Sequence, residues 1–358
     1  MPQISERLVK RPANQAILRD GDGNMPLIPY VLAPADAYGA PSQMNVLVTG
    51  ASGAIGADLV PRLAAAGHGV RAFARDPARV TVAGVERVVR GDAVIGAGLD
   101  AALDGIDVAY FLIHSMEAAA PGGPAAERGA GGFAERDRRA AANFAEAARA
   151  AGVRRLVYLG GLVPRDAAAS PHLASRLEVE ETLLAAAPEA VALRASIVIG
   201  ARSRSFRFLV RLVERVPVMP LPDWRGNRTA PIDARDVIAY LVAAGTSEAV
   251  DGRLSLDIGG PEVMTYAAML ERIRDALLLG RPRLDLPVRM TAVASRIAAA
   301  IAGEDPALIE PLMGSLGSDL LPRDDHAQEL FGVRPHGFDA AVERALREWE
   351  SGEELRAR

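Results

Sequence analysis

The stretch Asn45-Val-Leu-Val-Thr-Gly50-Ala-Ser-Gly53-Ala-Ile-Gly56 decides the fold expected for this chain of 358 residues. The four residues before Gly50 have the apolar character of a short buried parallel strand, and a predicted helix opens at Gly56. Gly50 allows a tight turn, Gly53 lets a pyrophosphate approach the backbone, and Gly56 lets helix and strand pack closely. The helix N-terminus adds unpaired N–H groups and the positive end of a dipole. The residues of this turn predicted to hold a dinucleotide are Gly50, Ser52, Gly53, Ala54, Ile55 and Gly56.

Outward from this turn, predicted strands and helices alternate. The predicted strands are 46–49, 70–74, 85–90, 107–114, 155–159, 191–199 and 254–258. The predicted helices are 56–66, 99–103, 135–151, 173–187, 205–215 and 233–244, with a further helix from about Thr265 and a proline-rich loop at 217–222. This alternation implies right-handed βαβ units. We therefore predict an α/β fold: a doubly wound parallel Rossmann sheet with a small C-terminal α/β substrate lobe.

The domain organisation follows from the same pattern. Residues 1–43 are rich in proline and are predicted to be a loosely ordered N-terminal extension. Residues 44–200 are predicted to be the NAD(P)-binding Rossmann domain, and 231–260 return to it. Residues 201–230 and 261–350 are predicted to form the substrate-binding lobe over the carboxyl edge of the sheet, where open α/β sheets bind ligands.

Composition excludes several classes of function. The chain is 50% hydrophobic with a net charge of −4, so no basic surface indicates nucleic acid as a partner. The absence of cysteine excludes disulfides and thiolate chemistry, and the five histidines lack metal-ligand spacing, so no metal is predicted. The sequence contains neither an apolar run of roughly 20 residues nor a leader peptide. We expect a cytoplasmic protein without membrane insertion, a monomer or homodimer, acting on a small molecule.

The end of the second strand predicts which dinucleotide binds. NAD-binding proteins place Asp or Glu there, on the ribose 2′-hydroxyl. This chain has Ala74 followed by Arg75, and a guanidinium suits the 2′-phosphate of NADP. NADP(H) is therefore predicted to be the preferred cofactor, and NAD(H) is the alternative. Arg71 and Arg79 lie nearby in the sequence, and Asp76 is predicted to form a turn with Pro77. Asp92, which follows the third strand, is expected either to meet the adenine or to cap the next turn.

Six segments in order resemble the extended or atypical short-chain dehydrogenases/reductases, and most closely their NmrA-like, NAD(P)H-binding branch. These segments are 49–56, 91–92, 152–161, 193–200, 231–241 and 258–266. The resemblance covers about residues 44–340. It implies a Rossmann domain, NADP(H) binding and a small C-terminal substrate lobe.

The resemblance also implies further residues around the cofactor, at the ends of later strands. His114 ends the fourth predicted strand, where the family lines the cofactor, and acid catalysis by it is a minor alternative. Ser196 and Ile197 resemble the stretch beside the nicotinamide. The remaining cofactor-binding residues predicted at strand ends are Leu112, Ile113, Leu159 and Gly160. Tyr158 is predicted to be a core residue, and Asn143 either a structural asparagine of the family or a surface amide.

The chain departs from the family at its catalytic signature, a serine with Tyr-x-x-x-Lys. Gly160-Gly161 occupy the usual place of the serine, and Lys10 is the only lysine. Where the tyrosine and lysine would fall, His172 and Arg176 have the same i, i+4 spacing, which puts both on one helix face. In one interpretation His172 donates the proton, as an imidazole that titrates near neutrality, and Arg176 holds the nicotinamide ribose. In the other, His172 is a surface residue and Arg176 pairs with Glu180.

Three functions are compatible with these features. The leading hypothesis is an NADP(H)-dependent oxidoreductase that transfers hydride to or from a small carbonyl, enone or quinone-like substrate without the Tyr/Lys pair. The second is a non-catalytic, NmrA-like NADP(H) redox sensor that acts through a protein partner. The third is an NAD(P)-dependent epimerase or dehydratase, although such enzymes also usually rely on the Tyr/Lys pair.

Overall fold

A computed structural model describes residues 43–113, 130–165, 170–286, 300–301, 303, 313–353 and 355. The predicted N-terminal extension, apart from residue 43, lies outside the described residues, and so does His114. Within the described part, no helix combines the length and the apolar character needed to cross a membrane.

The strands of the described residues build one large sheet and three small ones. In chain order they are β1 (Asn45–Thr49), β2 (Gly69–Ala74), β3 (Val85–Arg90), β4 (Val108–Phe111), β5 (Arg155–Gly161), β6 (Glu189–Ala195), β7 (Val198–Ile199), β8 (Met219–Leu221), β9 (Arg228–Thr229), β10 (Ile232–Asp233), β11 (Arg253–Ile258), β12 (Met264–Thr265) and β13 (Arg283–Asp285). Seven strands form the large sheet, which is parallel throughout and has the order β11-β6-β5-β4-β1-β2-β3. The winding reverses between β1 and β4, so the glycine turn after β1 lies at the topological switch point where such sheets bind ligands. The predicted doubly wound parallel sheet is confirmed.

Several of the helices begin at a capping side chain. In chain order they are α1 (Gly56–Ala65), α2 (Leu99–Leu103), α3 (Ala130–Ala150), α4 (Pro171–Leu184), α5 (Arg204–Arg215), α6 (Ala234–Thr246), α7 (Tyr266–Ala276), α8 (His326–Phe331) and α9 (Phe338–Glu350). The side chains of Ser170, Ser203 and Asp233 accept backbone N–H groups at the starts of α4, α5 and α6. Such caps satisfy donors that have no partner within the helix.

The apolar core lies on both faces of the large sheet. Val46 and Val48 pack on one face, and Leu47 on the other, because successive side chains of a strand point to opposite sides. Burial on both faces explains why β1 reads as a continuous apolar run and not as an alternating one. A third apolar cluster lies in the C-terminal part of the chain and includes Phe206 of α5, Tyr266 of α7 and Trp349 of α9.

Several predicted elements differ from the structure, and three of the differences change its architecture. The single strand predicted over 191–199 is broken at Ser196-Ile197, because β7 leaves the large sheet and pairs with β10. The helix predicted over 173–187 ends at Leu184, where the backbone N–H of Ala186 bonds the carbonyl of Leu183. The segment predicted as a proline-rich loop contains β8, which pairs with β13.

Candidate functional site

The glycine turn after β1 has the shape that a pyrophosphate requires. Gly50 has a φ of +70°, and a Cβ added there would lie 2.8 Å from the carbonyl oxygen of Leu112. A Cβ at Gly56 would lie 2.2 Å from the carbonyl oxygen of Gly50, so that oxygen occupies the place of a side chain. At Gly53 an added Cβ would meet only this carbonyl, at 3.2 Å, and its other sides are open. The open backbone beside the N-terminus of α1 therefore fits the phosphates of a dinucleotide.

Thr49 joins this turn to the end of β4. Its side chain is fully buried, and its hydroxyl donates to the carbonyl oxygen of Tyr110 at 3.0 Å. The same hydroxyl accepts the backbone N–H of Leu112 at 3.0 Å. Leu112 is thereby held next to Gly50, and Leu112 and Ile113 are both half-buried. Both predicted cofactor residues thus follow β4 at the edge of the sheet where the glycine turn lies.

Arg75 and Asp92 line an open cleft of about 360 Å³ at the end of β2 and β3. Arg90, Gly91 and Ala97 complete its lining. Arg75 is exposed at the place predicted for a 2′-phosphate ligand. The cleft therefore adjoins the edge of the sheet at which the adenosine end of a dinucleotide is expected.

Arg71 and Asp76 do not take part in this cleft. The guanidinium of Arg71 donates to the carbonyl oxygens of Ala102, at 2.9 Å, and Asp104, at 2.7 Å, so it holds the end of α2. Asp76 accepts the backbone N–H of Ala78 at 3.1 Å and caps a short 3₁₀ turn. The prediction of a turn at Asp76 is confirmed.

Asp92 lines the cleft and also caps the turn that follows β3. Its carboxylate accepts the backbone N–H of Val94 at 2.8 Å. Asn143 on α3 donates to the carbonyl oxygens of Ala93 and Val94, at 2.9 and 3.0 Å, and so fixes this loop. The capping alternative for Asp92 is confirmed, and its contact with adenine stays a prediction. Asn143 is a structural residue and not a surface amide.

The end of β5 carries the two glycines that replace the family's serine. Gly160 is buried and lies in register with Arg194 of β6, and Leu159 beside it is half-buried. A Cβ at Gly161 would meet only the side chain of Leu173, at 3.3 Å. Gly160 and Gly161 therefore contribute backbone and no hydroxyl side chain at the end of β5.

His172 and Arg176 lie one turn apart at the start of α4. Arg176 donates to the carbonyl oxygen of Leu159 at 3.1 Å, and its guanidinium lies 5.4 Å from the centre of the Tyr158 ring. The Tyr158 side chain is buried, as predicted for a core residue. Arg176 therefore directs its charge to the end of β5, where the nicotinamide end of a dinucleotide is expected.

The environment of His172 makes its ring neutral at pH 7. Burial, and then the positive charge of Arg176, lower the pKa of His172 to about 4. The expectation that this imidazole titrates near neutrality is therefore wrong. A neutral ring can donate one N–H and accept one hydrogen bond, but only a small fraction is the acidic imidazolium.

The predicted pairing of Arg176 with Glu180 is also wrong. Glu180 is buried and forms an ion pair with Arg194, Nη2 to Oε1 at 2.6 Å. Ser255 donates a further hydrogen bond to Glu180 at 2.6 Å. Because α4 packs on β6, Glu180 points toward the sheet and not toward Arg176. The i, i+4 spacing of Arg176 and Glu180 does not by itself reveal this orientation.

The break between β6 and β7 presents Ser196 and Ile197. The hydroxyl of Ser196 lies 2.5 Å from that of Thr229, which is fully buried. The carbonyl oxygen of Ile197 accepts the backbone N–H of Ile232 at 3.0 Å. Sequence reasoning missed Thr229 and Arg90. One sequence feature could have identified Arg90 as a candidate site residue, namely its position immediately before Gly91-Asp92.

The matches to known proteins agree with this geometry. A family model described as NAD(P)H-binding matches residues 50–198. The chain is 32% identical over 246 residues to (4-alkanoyl-5-oxo-2,5-dihydrofuran-3-yl)methyl phosphate reductase of Streptomyces griseus, over 66% of this chain and 74% of that protein. It is 33% identical over 200 residues to ceramide reductase of Caulobacter vibrioides, over 55% of this chain and 60% of that protein, less than two thirds of its length.

A solved structure shares the fold. It is a short-chain dehydrogenase/reductase superfamily protein from Agrobacterium tumefaciens with bound NAD. The two chains superpose with a TM-score of 0.61 at 20% identity, over 85% of this chain and 97% of the other.

Proposed function

The chain belongs to the atypical short-chain dehydrogenases/reductases, in their NmrA-like NAD(P)H-binding branch, and on this premise we propose that it is an NADP(H)-dependent reductase of a small carbonyl, enone or quinone-like compound. The glycine turn carries the proposal, because its open backbone at Gly53 and the N-terminus of α1 suit a pyrophosphate. Arg75 supports NADP(H) over NAD(H), since guanidinium and phosphate pair bidentately. Both relatives are named reductases, which supports the reductive direction.

Arg176 is the proposed source of positive charge at the reacting oxygen. NADPH, when bound, would supply the hydride that the substrate carbon accepts. The guanidinium of Arg176 remains charged at every working pH and can stabilise the negative charge that develops on the substrate oxygen. Its hydrogen bond to Leu159 leaves further N–H donors for this task.

His172 is the proposed hydrogen-bond donor to the same oxygen. Its neutral ring can donate one N–H, and its imidazolium form can transfer a proton as a general acid. Because the pKa of His172 is lowered to about 4, the transferable proton becomes more abundant as the pH falls from 7. Catalysis by His114 stays a prediction outside the described residues.

The C-terminal part of the chain is the proposed substrate lobe. Residues 201–230 and 261–350 contribute the separate apolar cluster around Phe206 and Trp349. The hydroxyl pair of Ser196 and Thr229 joins the end of β6 to this part of the chain. A substrate held by this lobe would therefore lie beside the end of β6.

Oxidation of NADPH by the purified chain tests the proposal. The substrate panel should contain carbonyls, enones and quinones, including alkanoyl-substituted oxo-dihydrofurans with and without a phosphate, since one relative is named for such a compound. We expect turnover with at least one class, and a decrease in kcat of at least tenfold for Arg176→Ala. Tight NADPH binding without oxidation by any compound would contradict a reductase.

A redox sensor is the second candidate, and the glycines at the serine position favour it. Gly160 and Gly161 offer no hydroxyl, and the single lysine at position 10 lies outside the described residues. A sensor must bind NADP and NADPH with different affinities and present that difference to a protein partner. Equal affinity for the two forms, measured by equilibrium titration, would exclude this candidate.

A further inference from the structure

The cleft at the end of β2 and β3 contains a second arginine. Arg90 is the last residue of β3, and it lines the cleft together with Arg75. Both side chains are exposed. Two guanidinium groups at one open cleft make a site for an anion that has several acceptor oxygens.

Strand register places the ends of β2 and β3, from which the two arginines reach the cleft, side by side. Arg90 pairs with Ala74, the residue before Arg75, in the parallel ladder of β2 and β3. The backbone N–H of Gly91 bonds the carbonyl oxygen of Ala74 at 3.0 Å and continues the ladder past Arg90. The ends of both strands are therefore held at a fixed separation by backbone hydrogen bonds.

Gly91 lets the following loop fold back and form the wall of the cleft. A Cβ at Gly91 would lie 2.2 Å from the carbonyl oxygen of Ala97 and 2.4 Å from the ring of Phe73. The N–H of Asp92 bonds that same carbonyl at 2.9 Å. The loop returns to Ala97, so backbone hydrogen bonding fixes this wall of the cleft.

Neither arginine is neutralised by a carboxylate in the part of the chain that the structure describes. Asp92 is the carboxylate in the lining, and it accepts the N–H of Val94. By contrast, Arg71 on β2 is engaged by carbonyl groups of α2. The lining therefore has two guanidinium groups and one carboxylate, and a net positive charge faces a ligand.

We propose that Arg90 is a second ligand of the 2′-phosphate, and that this cleft alone recognises a 2′-phosphorylated adenosine. The inference rests on the proposed NADP(H) function. It adds Arg90 to Arg75 as a residue that determines the preference for NADP(H) over NAD(H). A phosphate monoester carries nearly two negative charges at pH 7 and presents three acceptor oxygens. Two guanidinium groups can pair with these charged oxygens, whereas the 2′-hydroxyl of NAD carries no negative charge for them to pair with.

Binding of nucleotide fragments tests the inference without nicotinamide or activity. Adenosine 2′,5′-bisphosphate and adenosine 5′-monophosphate are titrated calorimetrically into the full chain and its variants. We expect Arg90→Ala to weaken the bisphosphate about tenfold to a hundredfold, and Arg75→Ala to do the same, because each removes charge-assisted hydrogen bonds. The monophosphate should change less than twofold in either variant.

Arg87→Ala is the matched control. Arg87 is an exposed arginine of the same strand, but it does not line the cleft. Its removal changes the net charge equally and should leave both affinities within twofold. Arg90→Lys, which keeps the charge but not the bidentate geometry, should bind the bisphosphate with intermediate affinity, and it also serves if Arg90→Ala folds poorly.

The outcomes separate this inference from the proposed function. If the unchanged protein binds the bisphosphate no more tightly than the monophosphate, the NADP(H) preference itself fails. If the preference is present and is lost in Arg75→Ala but kept in Arg90→Ala, only the role of Arg90 is overturned. An equal loss in Arg87→Ala and Arg90→Ala would indicate a general charge effect and would also overturn it.

Discussion

Arg194 of β6 and Glu180 of α4 form a buried ion pair, with Nη2 and Oε1 2.6 Å apart. Nε of Arg194 donates to the same carboxylate at 2.9 Å, so the contact is bidentate. The pair attaches α4, the helix of His172 and Arg176, to the central sheet. Because Glu180 is engaged in this way, it does not neutralise the charge of Arg176 at the candidate site.

Removal of one partner of this pair should destabilise the fold strongly. Glu180→Ala removes the bidentate carboxylate partner of the buried guanidinium of Arg194 and leaves it beside the more distant Asp257, at 3.8 Å. We therefore expect a loss of about 3 kcal/mol in the free energy of unfolding, the lower end of the range for a broken buried ion pair. Urea denaturation followed by circular dichroism measures it. Glu178→Ala on the same helix is the control, because its ion pair with Arg138 is exposed and should contribute about 0–1 kcal/mol. Similar losses in both variants would contradict the assignment.

Two glycines of the turn should respond differently to the same substitution. Gly56→Ala puts a methyl group 2.2 Å from a carbonyl oxygen and should lower the free energy of unfolding by about 1–3 kcal/mol or more. Gly53→Ala brings its methyl group only to 3.2 Å from the carbonyl oxygen of Gly50, a much milder contact, and should lower stability by less than Gly56→Ala does, by about 1 kcal/mol. We expect it instead to weaken NADPH binding about tenfold, because the methyl group stands where a phosphate would approach.

Thermal unfolding and NADPH titration of the two variants test this difference. Normal NADPH affinity in Gly53→Ala would show that phosphates do not approach the turn at this residue.

Arg75 should determine the choice between the two dinucleotides. A ligand at 100 times its Kd raises the free energy of unfolding by about 2.7 kcal/mol, so thermal shifts with NAD, NADH, NADP and NADPH reveal the preference. We expect Arg75→Ala to reduce the ratio of NADPH to NADH affinity by about tenfold to a hundredfold.

Arg71→Ala is the control for Arg75. Arg71 bonds the carbonyl oxygens of Ala102 and Asp104 at the end of α2, so its removal should lower stability and leave the affinity ratio unchanged. The opposite pattern, a changed ratio in Arg71→Ala alone, would refute the role of Arg75.

His172 should make stability depend on pH below neutrality. The pKa of histidine is about 6.5 in an unfolded chain, and that of folded His172 is lowered to about 4. The folded state therefore favours the neutral ring, and this contribution is complete above pH 6.5 and is lost as the pH falls to 4. Since one pKa unit corresponds to about 1.4 kcal/mol, the interval between 6.5 and about 4 corresponds to a loss on the order of 3 kcal/mol.

Stability curves of His172→Gln between pH 4 and 7 test this dependence. The variant should lose less stability over this range than the unchanged protein. His326→Gln is the control, because His326 is exposed and should leave the curve unaltered. Identical curves for all three proteins would show that His172 titrates normally.

The elements that follow from local pattern were predicted well. β3 and α2 have the predicted bounds, and α1 and β2 differ from them by one residue at one end. Their signals are apolar runs, glycines and capping residues, which act within a few neighbours along the chain. By contrast, no local sequence signal marks the break in the strand predicted over 191–199. The break arises because β7 pairs with β10, which is distant along the chain.

The residues of the candidate site also fall into those that local sequence predicts and those that depend on tertiary packing. The glycine turn and Arg75 were predictable because spacing along one strand and one helix places them. Arg90 was not, because it reaches the cleft only through the register between two strands. The charge of His172 was not predictable either, since burial by the folded chain lowers its pKa.

The sequence by itself determined that this chain is a Rossmann-type nucleotide-binding protein that lacks the usual serine, tyrosine and lysine. The identity and the spacing of these residues are fixed by the sequence, and packing does not alter them. Only the tertiary structure decided which partner each charged group takes: Glu180 for Arg194, carbonyl oxygens for Arg71, and an open cleft for Arg75 and Arg90. Charges interact through space over a few ångströms, so their partners depend on how distant segments pack and not on their separation along the sequence.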